Sequence, residues 1–245
     1  MKLLGELIGK DVKHLLFIDY EGTQFDHEII AIGAVLVDVD ENAAPCSEPS
    51  NFKCYIKPAS KVGSVITTMT GITEEFLKEN GISFVQAMKD LSLFLGERTN
   101  NIKVVTYGNQ DKRMLTKSFE MWNDGSSFLF SFVNYLNRNN IDISPFFAKY
   151  IRGSKNNLIS LVHLREFFSI PSSGNSHDPL VDSLDLYNVY KEFSSNKDKI
   201  LSSYLLLLEN SDLLVEPVRR AIVRVIKGNT LSKEEFVKIL EEYFK

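Results

Sequence analysis

The chain has 245 residues, of which 44% are hydrophobic and 24% are charged, and its formal net charge is −4 at pH 7. This composition is typical of an ordinary soluble globular protein, and the length suggests one domain with an appendage or two small domains. The negative total does not exclude a nucleic-acid partner, because metal-binding carboxylates add charge that bound cations offset.

The cysteines and the start of the chain bear on the cellular compartment. Cys46 and Cys54 lack C-x-x-C spacing and a partner cluster, which favours reduced thiols over a zinc site or a disulfide framework. Glu6 and Lys10 interrupt the apolar start, so a signal peptide is not predicted. Since no apolar run reaches the ~20 residues of a membrane span, we expect a cytoplasmic protein without a membrane partner.

Strands and then helices are predicted along the first 195 residues. Compact apolar runs predict strands over residues 15–20, 29–37 and 52–57. Apolar spacing and turn signals then predict further strands at 102–106 and 141–143, and helices at 84–95, 111–122, 158–168 and 179–193. Adjacent strands followed by alternating helices and strands indicate an α/β fold, a mixed sheet with helices on its faces.

The strand patterns stop after residue 195. Residues 198–210, 211–227 and 232–244 all have helical patterns, and Ser232 with Glu235 fits the capping-box pattern. We therefore predict a domain over 1–195 and a helical C-terminal extension over 196–245. The extension could present a surface to a protein partner.

Asp19 and Glu21 form the first of three acidic clusters. They stand at i and i+2 at a strand end, so their side chains share one face, roughly 7 Å apart. Such a pair can bridge or flank two metal ions, and carboxylate oxygens suit Mg²⁺ or Mn²⁺. Two solvated acids at a strand end are the simpler alternative.

The other clusters contain Asp111 and the segment from His177 to Asp182. Asp111 opens a helix, where acids are favoured by the helix dipole in any case. Asp178 is the predicted N-cap before Pro179, which leaves His177 outside the helix, at the end of a flexible polar loop over 172–176. An imidazole there can accept a proton from water near neutral pH, although a surface loop histidine is the plainer interpretation.

In order and spacing, these clusters resemble the DEDDh family of 3′-to-5′ exonucleases. Asp19 and Glu21 correspond to the first motif, Asp111 to the second, and His177 and Asp182, at the H-x4-D spacing, to the third. The resemblance spans about residues 13–193, and residues 67–72 are similar to the L-T-G-I segment of these enzymes. It is greatest to the Eri-type branch, whose relatives act largely on RNA and include bacterial proteins described as inhibitors of a sporulation kinase pathway.

The resemblance implies a ribonuclease H-like mixed five-stranded sheet flanked by helices, and a two-metal site. Asp19, Glu21 and Asp182 would hold one metal ion. Asp19 would also bind the second ion, and Asp111 would complete the set of metal ligands. His177 would deprotonate the attacking water.

The resemblance also implies contacts with the end of the substrate. Gly22 and Thr23 would meet the terminal 3′-hydroxyl, and Met69 would wedge against the last base. Met69 replaces the leucine common in the family, Tyr107 replaces a tryptophan, and Pro179 and Ser183 replace alanines. None of the acid or base positions is lost, which favours an active enzyme.

Two further patterns bear on how a nucleic-acid strand would be held. Aromatic and basic residues alternate in one segment, with Phe146, Phe147 and Tyr150 among Lys149, Arg152 and Lys155. Surfaces that bind single strands combine such stacking and phosphate-binding side chains. The favoured alternative is that the aromatic side chains are buried and the charged ones are solvated. Arg220, Arg224 and Lys227 make one face of a predicted helix basic, and this face could guide a strand or simply be solvated.

These patterns predict a metal-dependent 3′–5′ exonuclease that acts on single-stranded nucleic acid ends, with RNA favoured over DNA. Water attack on the terminal phosphodiester would release nucleoside 5′-monophosphates. The alternatives are a DNA proofreading or repair exonuclease and a regulatory protein-binding module on a nuclease fold.

Overall fold

The computed structural model describes residues 2–151, 159–211 and 214–243. It contains two compact units, one formed by Met1–Ser144 with Ser160–Ser195 and the other by Pro145–Ile159 with Asn196–Lys245. In the described ranges, no helix combines the length and the hydropathy needed to cross a membrane.

The first unit is built on a five-stranded mixed sheet with the order β3-β2-β1-β4-β5. The strands are β1 His14–Gly22, β2 Ile29–Asp38, β3 Ser50–Tyr55, β4 Ile102–Thr106 and β5 Asn140–Asp142. β1 pairs antiparallel with β2, β2 pairs antiparallel with β3, and the β1–β4 and β4–β5 pairs are parallel. The α/β fold class and the mixed sheet predicted from the sequence are therefore confirmed.

Nine α-helices lie among the described residues up to Ser195. They are α1 Lys2–Ile8, α2 Ser64–Thr70, α3 Glu74–Asn80, α4 Phe84–Leu95, α5 Gln110–Trp122, α6 Ser127–Asn139, α7 Ser144–Phe147, α8 Leu161–Phe168 and α9 Pro179–Ser195. One of them, α7, belongs to the second unit from Pro145 onward. The helix predicted over 158–168 begins later, at Leu161, where Ser160 accepts a hydrogen bond from the His163 N–H; residue 158 lies outside the described residues.

The two faces of β1 pack against different helices, because successive side chains of a strand point to opposite faces. Leu16, Ile18 and Tyr20 belong to the core cluster that includes side chains of α4, α5 and α6. On the opposite face, the Phe17 ring lies edge-on to Tyr187 and Tyr190 of α9, with centroids 5.7 and 5.2 Å apart. The end of β1 is thereby held between two helical layers.

The second unit contains α10 Lys197–Glu209, α11 Glu216–Ile226 and α12 Lys233–Tyr243. It also includes Pro145–Ile159, a segment that the sequence prediction assigned to the first domain; the Tyr150 and Tyr204 rings lie 5.5 Å apart there. The helix predicted over 211–227 starts only at Glu216, because Pro217 is tolerated in a first helical turn and not in a helix interior.

Of the interleaved aromatic and basic residues, the part of the chain that the structure describes contains Phe146, Phe147, Lys149 and Tyr150. Phe146 and Phe147 are buried, whereas Lys149 is exposed, as the alternative interpretation predicted. Arg152 and Lys155 lie outside the described residues. The aromatic side chains therefore contribute to a core.

Candidate active site

Asp19 and Glu21 lie near the C-terminal end of β1, on the strand face that α9 covers. Burial raises the pKa of Asp19 well above its usual value, and the charges of Asp111, Glu21 and Asp182 raise it further. Burial likewise raises the pKa of Glu21 from 4.5 to about 8, with added contributions from the charges of Asp182 and Asp111. Four carboxylates from three parts of the sequence therefore act on one another at this strand end.

Asp111 reaches the cluster from the first turn of α5. The β1–β4 ladder ends at the pair Phe17 and Val105, and beyond it the Tyr20 N–H donates to Asp111 Oδ1 at 3.1 Å. Asp142, at the end of β5, accepts a 2.8 Å hydrogen bond from the Gly108 N–H and so fixes the turn before α5. Burial raises the pKa of Asp111 to about 7, although the Tyr20 hydrogen bond lowers it.

Asp182 and His177 approach from the start of α9. The Asp182 N–H donates to the Asp178 carbonyl at 2.9 Å, which places Asp182 in the first helical turn. Asp182 Oδ2 accepts a 3.1 Å hydrogen bond from the His177 N–H, and His177 Nδ1 lies 4.0 Å from Glu21 Oε1. One potential ligand atom from each of Glu21, His177 and Asp182 lies within 4.8 Å of the others.

The start of α9 packs directly on the sheet at Gly33 of β2, the residue opposite Asp19. A Cβ at position 33 would overlap the backbone of Pro179 and Leu180. The Ser183 hydroxyl donates to the Gly33 carbonyl at 2.8 Å, so this departure from the family's common alanine adds an anchor. The close approach brings Asp182 to the strand end that carries Asp19.

The loop that carries His177 is anchored at both of its ends. Near its start, Asp185 accepts a 3.0 Å hydrogen bond from the Ser173 N–H and forms a buried ion pair with Arg165, also at 3.0 Å. At its end, Lys53 Nζ lies 2.5 Å from Asp178 Oδ2. The sequence prediction of a flexible loop did not include these anchors.

The residues predicted to meet the substrate lie between Glu21 and Asp111 in the chain. Gly22 is the last residue of β1 and Thr23 follows it, and both are buried, whereas Met69 of α2 is 46% exposed. The Thr23 N–H donates to the Glu28 carbonyl at 2.8 Å, and the Glu28 N–H donates to Thr23 Oγ1 at 3.1 Å. Thr23 thus accepts one hydrogen bond through its hydroxyl and keeps the hydroxyl proton for donation.

Glu28 is a buried carboxylate that sequence reasoning missed. Its oxygens accept hydrogen bonds from the N–H groups of Ala59 and Ser60, both at 2.8 Å, and from the Trp122 indole at 2.7 Å. Through these hydrogen bonds, Glu28 connects the turn after β1 to the segment after β3 and to the end of α5. Since the donors come from distant parts of the chain, no local spacing in the sequence signals this role.

The residues of the cluster fit divalent cations. Four carboxylates supply hard oxygen ligands of the kind that Mg²⁺ and Mn²⁺ prefer. Burial is the main cause of the raised pKa values of Asp19 and Glu21, and the negative charges of the neighbouring carboxylates raise them further, while the Lys53 ammonium is engaged with Asp178. Asp19, Glu21, Asp111 and Asp182 are therefore suited to hold such ions.

The fold and the site define an exonuclease of the ribonuclease H-like class. Residues 16–190 match the family model described as an exonuclease family, RNase_T, and the chain belongs to this family. It is a hydrolase of the DEDDh 3′–5′ exonuclease type, a family that uses divalent metal ions.

Individual relatives agree with this family. The chain is 27% identical over 199 residues to DNA polymerase III subunit epsilon of Buchnera aphidicola subsp. Acyrthosiphon pisum, which covers 78% of this chain and 76% of that protein. The nuclease domain of 3′hExo, a DEDDh family member solved with bound rAMP, is 18% identical with a TM-score of 0.60, covering 77% of this chain and 94% of that one. Escherichia coli Exonuclease I in complex with a dT13 oligonucleotide is 20% identical with a TM-score of 0.53, and the match covers 81% of this chain and 44% of that one. The structural likeness confirms the predicted ribonuclease H-like fold.

Proposed function

We propose that this exonuclease degrades single-stranded nucleic acid from a free 3′ end, prefers RNA to DNA and releases nucleoside 5′-monophosphates. The observation that carries the proposal is the convergence of Asp19, Glu21, Asp111, Asp182 and His177 at one end of β1. Two divalent cations bound by the four carboxylates would supply positive charge that stabilises the transition state.

His177 is the proposed general base. Its side chain is 46% exposed, and its Nδ1 lies 4.0 Å from Oε1 of Glu21, a member of the acidic cluster. The imidazole would take the proton of the attacking water, while the Thr23 hydroxyl and the Gly22 backbone would meet the terminal 3′-hydroxyl. Met69, exposed on α2, would pack against the last base.

The preference for RNA is supported by the resemblance to the Eri-type branch and by the rAMP bound to 3′hExo. A second candidate is a DNA proofreading or repair exonuclease, which the epsilon relative and the dT13 complex of Exonuclease I favour. A protein partner for the C-terminal helices stays a prediction from the sequence.

Digestion of matched 5′-labelled RNA and DNA strands tests the proposal. With Mg²⁺ or Mn²⁺ we expect ladders that shorten by single nucleotides from the 3′ end, faster on RNA, with 5′-monophosphates as products and no digestion in EDTA. A strand that ends in a 3′-phosphate should resist. Internal cleavage, or release of 3′-monophosphates, would refute the mechanism, and faster digestion of DNA would favour the second candidate.

Single substitutions test the roles of the site residues. Asp19→Asn removes a metal-ligand charge, and His177→Ala removes the general base, whose contribution is typically about 10²- to 10⁴-fold. In both variants kcat should fall by at least this factor, while the circular dichroism spectrum should remain that of the wild type. A His177→Ala enzyme with wild-type kcat would reject the assignment of the base.

A further inference from the structure

We infer that Lys53 is a positioning residue for His177, because it holds Asp178 and thereby fixes the end of the histidine loop on the sheet. The inference rests on the proposed role of His177 as the general base. Neither Lys53 nor Asp178 belongs to the proposed set of metal ligands.

The sheet register places Lys53 beneath the start of α9. Asp19 of β1 pairs with Gly33 of β2, and Gly33 pairs with Lys53 of β3, so these three residues form one row across the sheet. Residues that are directly opposite in a ladder point to the same face. The start of α9 lies on this face over Gly33, and the Lys53 ammonium, 5.2 Å from the centre of the Tyr55 ring, meets Asp178 there.

Asp178 links the sheet to the first turn of α9 through both of its carboxylate oxygens. Oδ2 lies 2.5 Å from Lys53 Nζ, and Oδ1 accepts a 3.1 Å hydrogen bond from the Leu180 N–H. The side chains of Lys53 and Asp178 are 25% and 32% exposed. A pair covered to this degree is less screened by solvent than a surface pair.

His177 needs such an anchor because its backbone is strained. Its φ is +63°, in the left-handed region that is unfavourable for a residue other than glycine. One contact that holds this conformation is the hydrogen bond from the His177 N–H to Asp182 Oδ2. Asp182 is a proposed metal ligand, whereas the Lys53–Asp178 pair beside His177 is an anchor that uses none of the proposed ligands.

Two other roles for Lys53 give different signatures in kinetics. A lysine that binds a substrate phosphate would affect KM and its salt dependence, and Asp178 would not share that effect. A lysine that acts only through its electric field would be opposed by Asp178, so that removal of the two charges would change kcat in opposite directions. A positioning pair loses the same function whichever partner is removed.

The test compares Lys53→Met, Asp178→Asn and the double variant in the metal-activated digestion of a single-stranded oligonucleotide. Asn at 178 keeps a side-chain cap for the Leu180 N–H while removing the charge. We expect each single variant to lower kcat by about 10- to 100-fold, because misplacement of a catalytic group by ~1 Å can cost 10²-fold. KM should change less than about twofold, the double variant should resemble the single variants, and Lys53→Arg should restore most of kcat.

Lys117→Met serves as the matched control, because Lys117 forms an exposed 2.7 Å ion pair with Glu120 on α5. It should leave kcat and KM unchanged. Opposite effects of Lys53→Met and Asp178→Asn, a change confined to KM, or unchanged kcat in either variant would overturn the inference.

Hydrogen exchange separates failure of this inference from failure of the proposed function. Amide exchange over residues 172–178 should accelerate in Lys53→Met and Asp178→Asn and remain at the wild-type rate in Lys117→Met. If the wild-type enzyme digests neither RNA nor DNA, the proposed function fails, whereas the exchange rates still decide whether the pair anchors the loop. Unchanged exchange in both pair variants would refute the anchor.

Discussion

The acidic residues of the site oppose the folding of the metal-free chain. Glu21 has a pKa of about 8 in the folded protein, against an ordinary value of 4.5, because it is buried and faces the charges of Asp182 and Asp111. A carboxyl whose pKa is raised on folding destabilises the fold once it ionises. For Glu21 this cost is absent below about pH 4.5, grows as the pH rises and is complete above about pH 8.

Glu21→Gln should therefore stabilise the protein in EDTA, and the gain should depend on pH. We expect the variant to raise the Tm by a few degrees at pH 9, where the wild-type carboxyl is ionised in the folded protein, and to change it much less at pH 4.5, where that carboxyl is neutral in the folded protein. Thermal unfolding followed by tryptophan fluorescence measures both values.

The exposed Glu79 of α3 provides the control for this substitution, since Glu79→Gln removes a charge far along the chain from the cluster. It should shift the Tm by less than a degree or so at either pH. An equal gain from Glu21→Gln at pH 4.5 and pH 9 would show that the carboxylate charge is not the cause.

Among the elements, the start of α9 depends on a single glycine. Gly33→Ala places a methyl group inside the backbone of Pro179 and Leu180, so the helix must shift away from the strand. Overpacking of this kind typically costs about 1–3 kcal/mol, and the shift would also carry Asp182 away from Asp19. We expect a lower free energy of unfolding in urea and a loss of exonuclease activity larger than the loss of stability explains.

Gly125→Ala is the control for the general effect of replacing a glycine. Gly125 has a φ of +76° in the turn before α6, and an added Cβ there meets no atom within 4 Å. The alanine should cost about 1 kcal/mol through backbone strain and leave kcat unchanged. Wild-type activity in Gly33→Ala would contradict the role given to this close approach.

The elements also show which parts of the fold local sequence patterns predict. The strands β1, β2 and β4 are short apolar runs bounded by polar residues, and the structure places strands over all three. Helix α6 was missed, although its buried Leu129, Phe132, Val133 and Leu136 recur at helical spacing behind a Ser126 cap. That pattern was present in the sequence and would have predicted the helix.

Contacts between distant residues explain what the patterns do not predict. Lys53 and Asp178 are 125 residues apart, and Glu28 meets Trp122 across 94 residues. Neither pair has a local spacing signal, because each depends on how the strands align and on where a helix ends. The proposed ligands and base had been predicted through the order and spacing of their motifs, whereas the residues that support them became apparent only in three dimensions.

In the whole molecule, the two units offer separate reporters of stability. Trp122 is the single tryptophan of the chain and belongs to the first unit, in which its indole donates to Glu28. Tryptophan fluorescence therefore follows the unit that carries the acidic cluster, whereas far-ultraviolet circular dichroism follows the helices of both units. Because a protein with two units need not unfold in one step, the two signals can have different midpoints.

Metal binding should stabilise the first unit selectively. An ion at a concentration of 100 times its Kd stabilises the folded state by about 2.7 kcal/mol, and a unit of this size gains roughly 2–4 °C per kcal/mol. We expect Mn²⁺ to raise the midpoint of the fluorescence transition by about 5–10 °C over EDTA, and to leave unchanged any separate dichroism transition of the second unit. Asp19→Asn and Asp182→Asn should lose most of this gain, because each removes a charge from the proposed ligands, whereas Glu79→Gln should retain it. A gain of the same size in all of these variants would place the stabilising ion outside the acidic cluster.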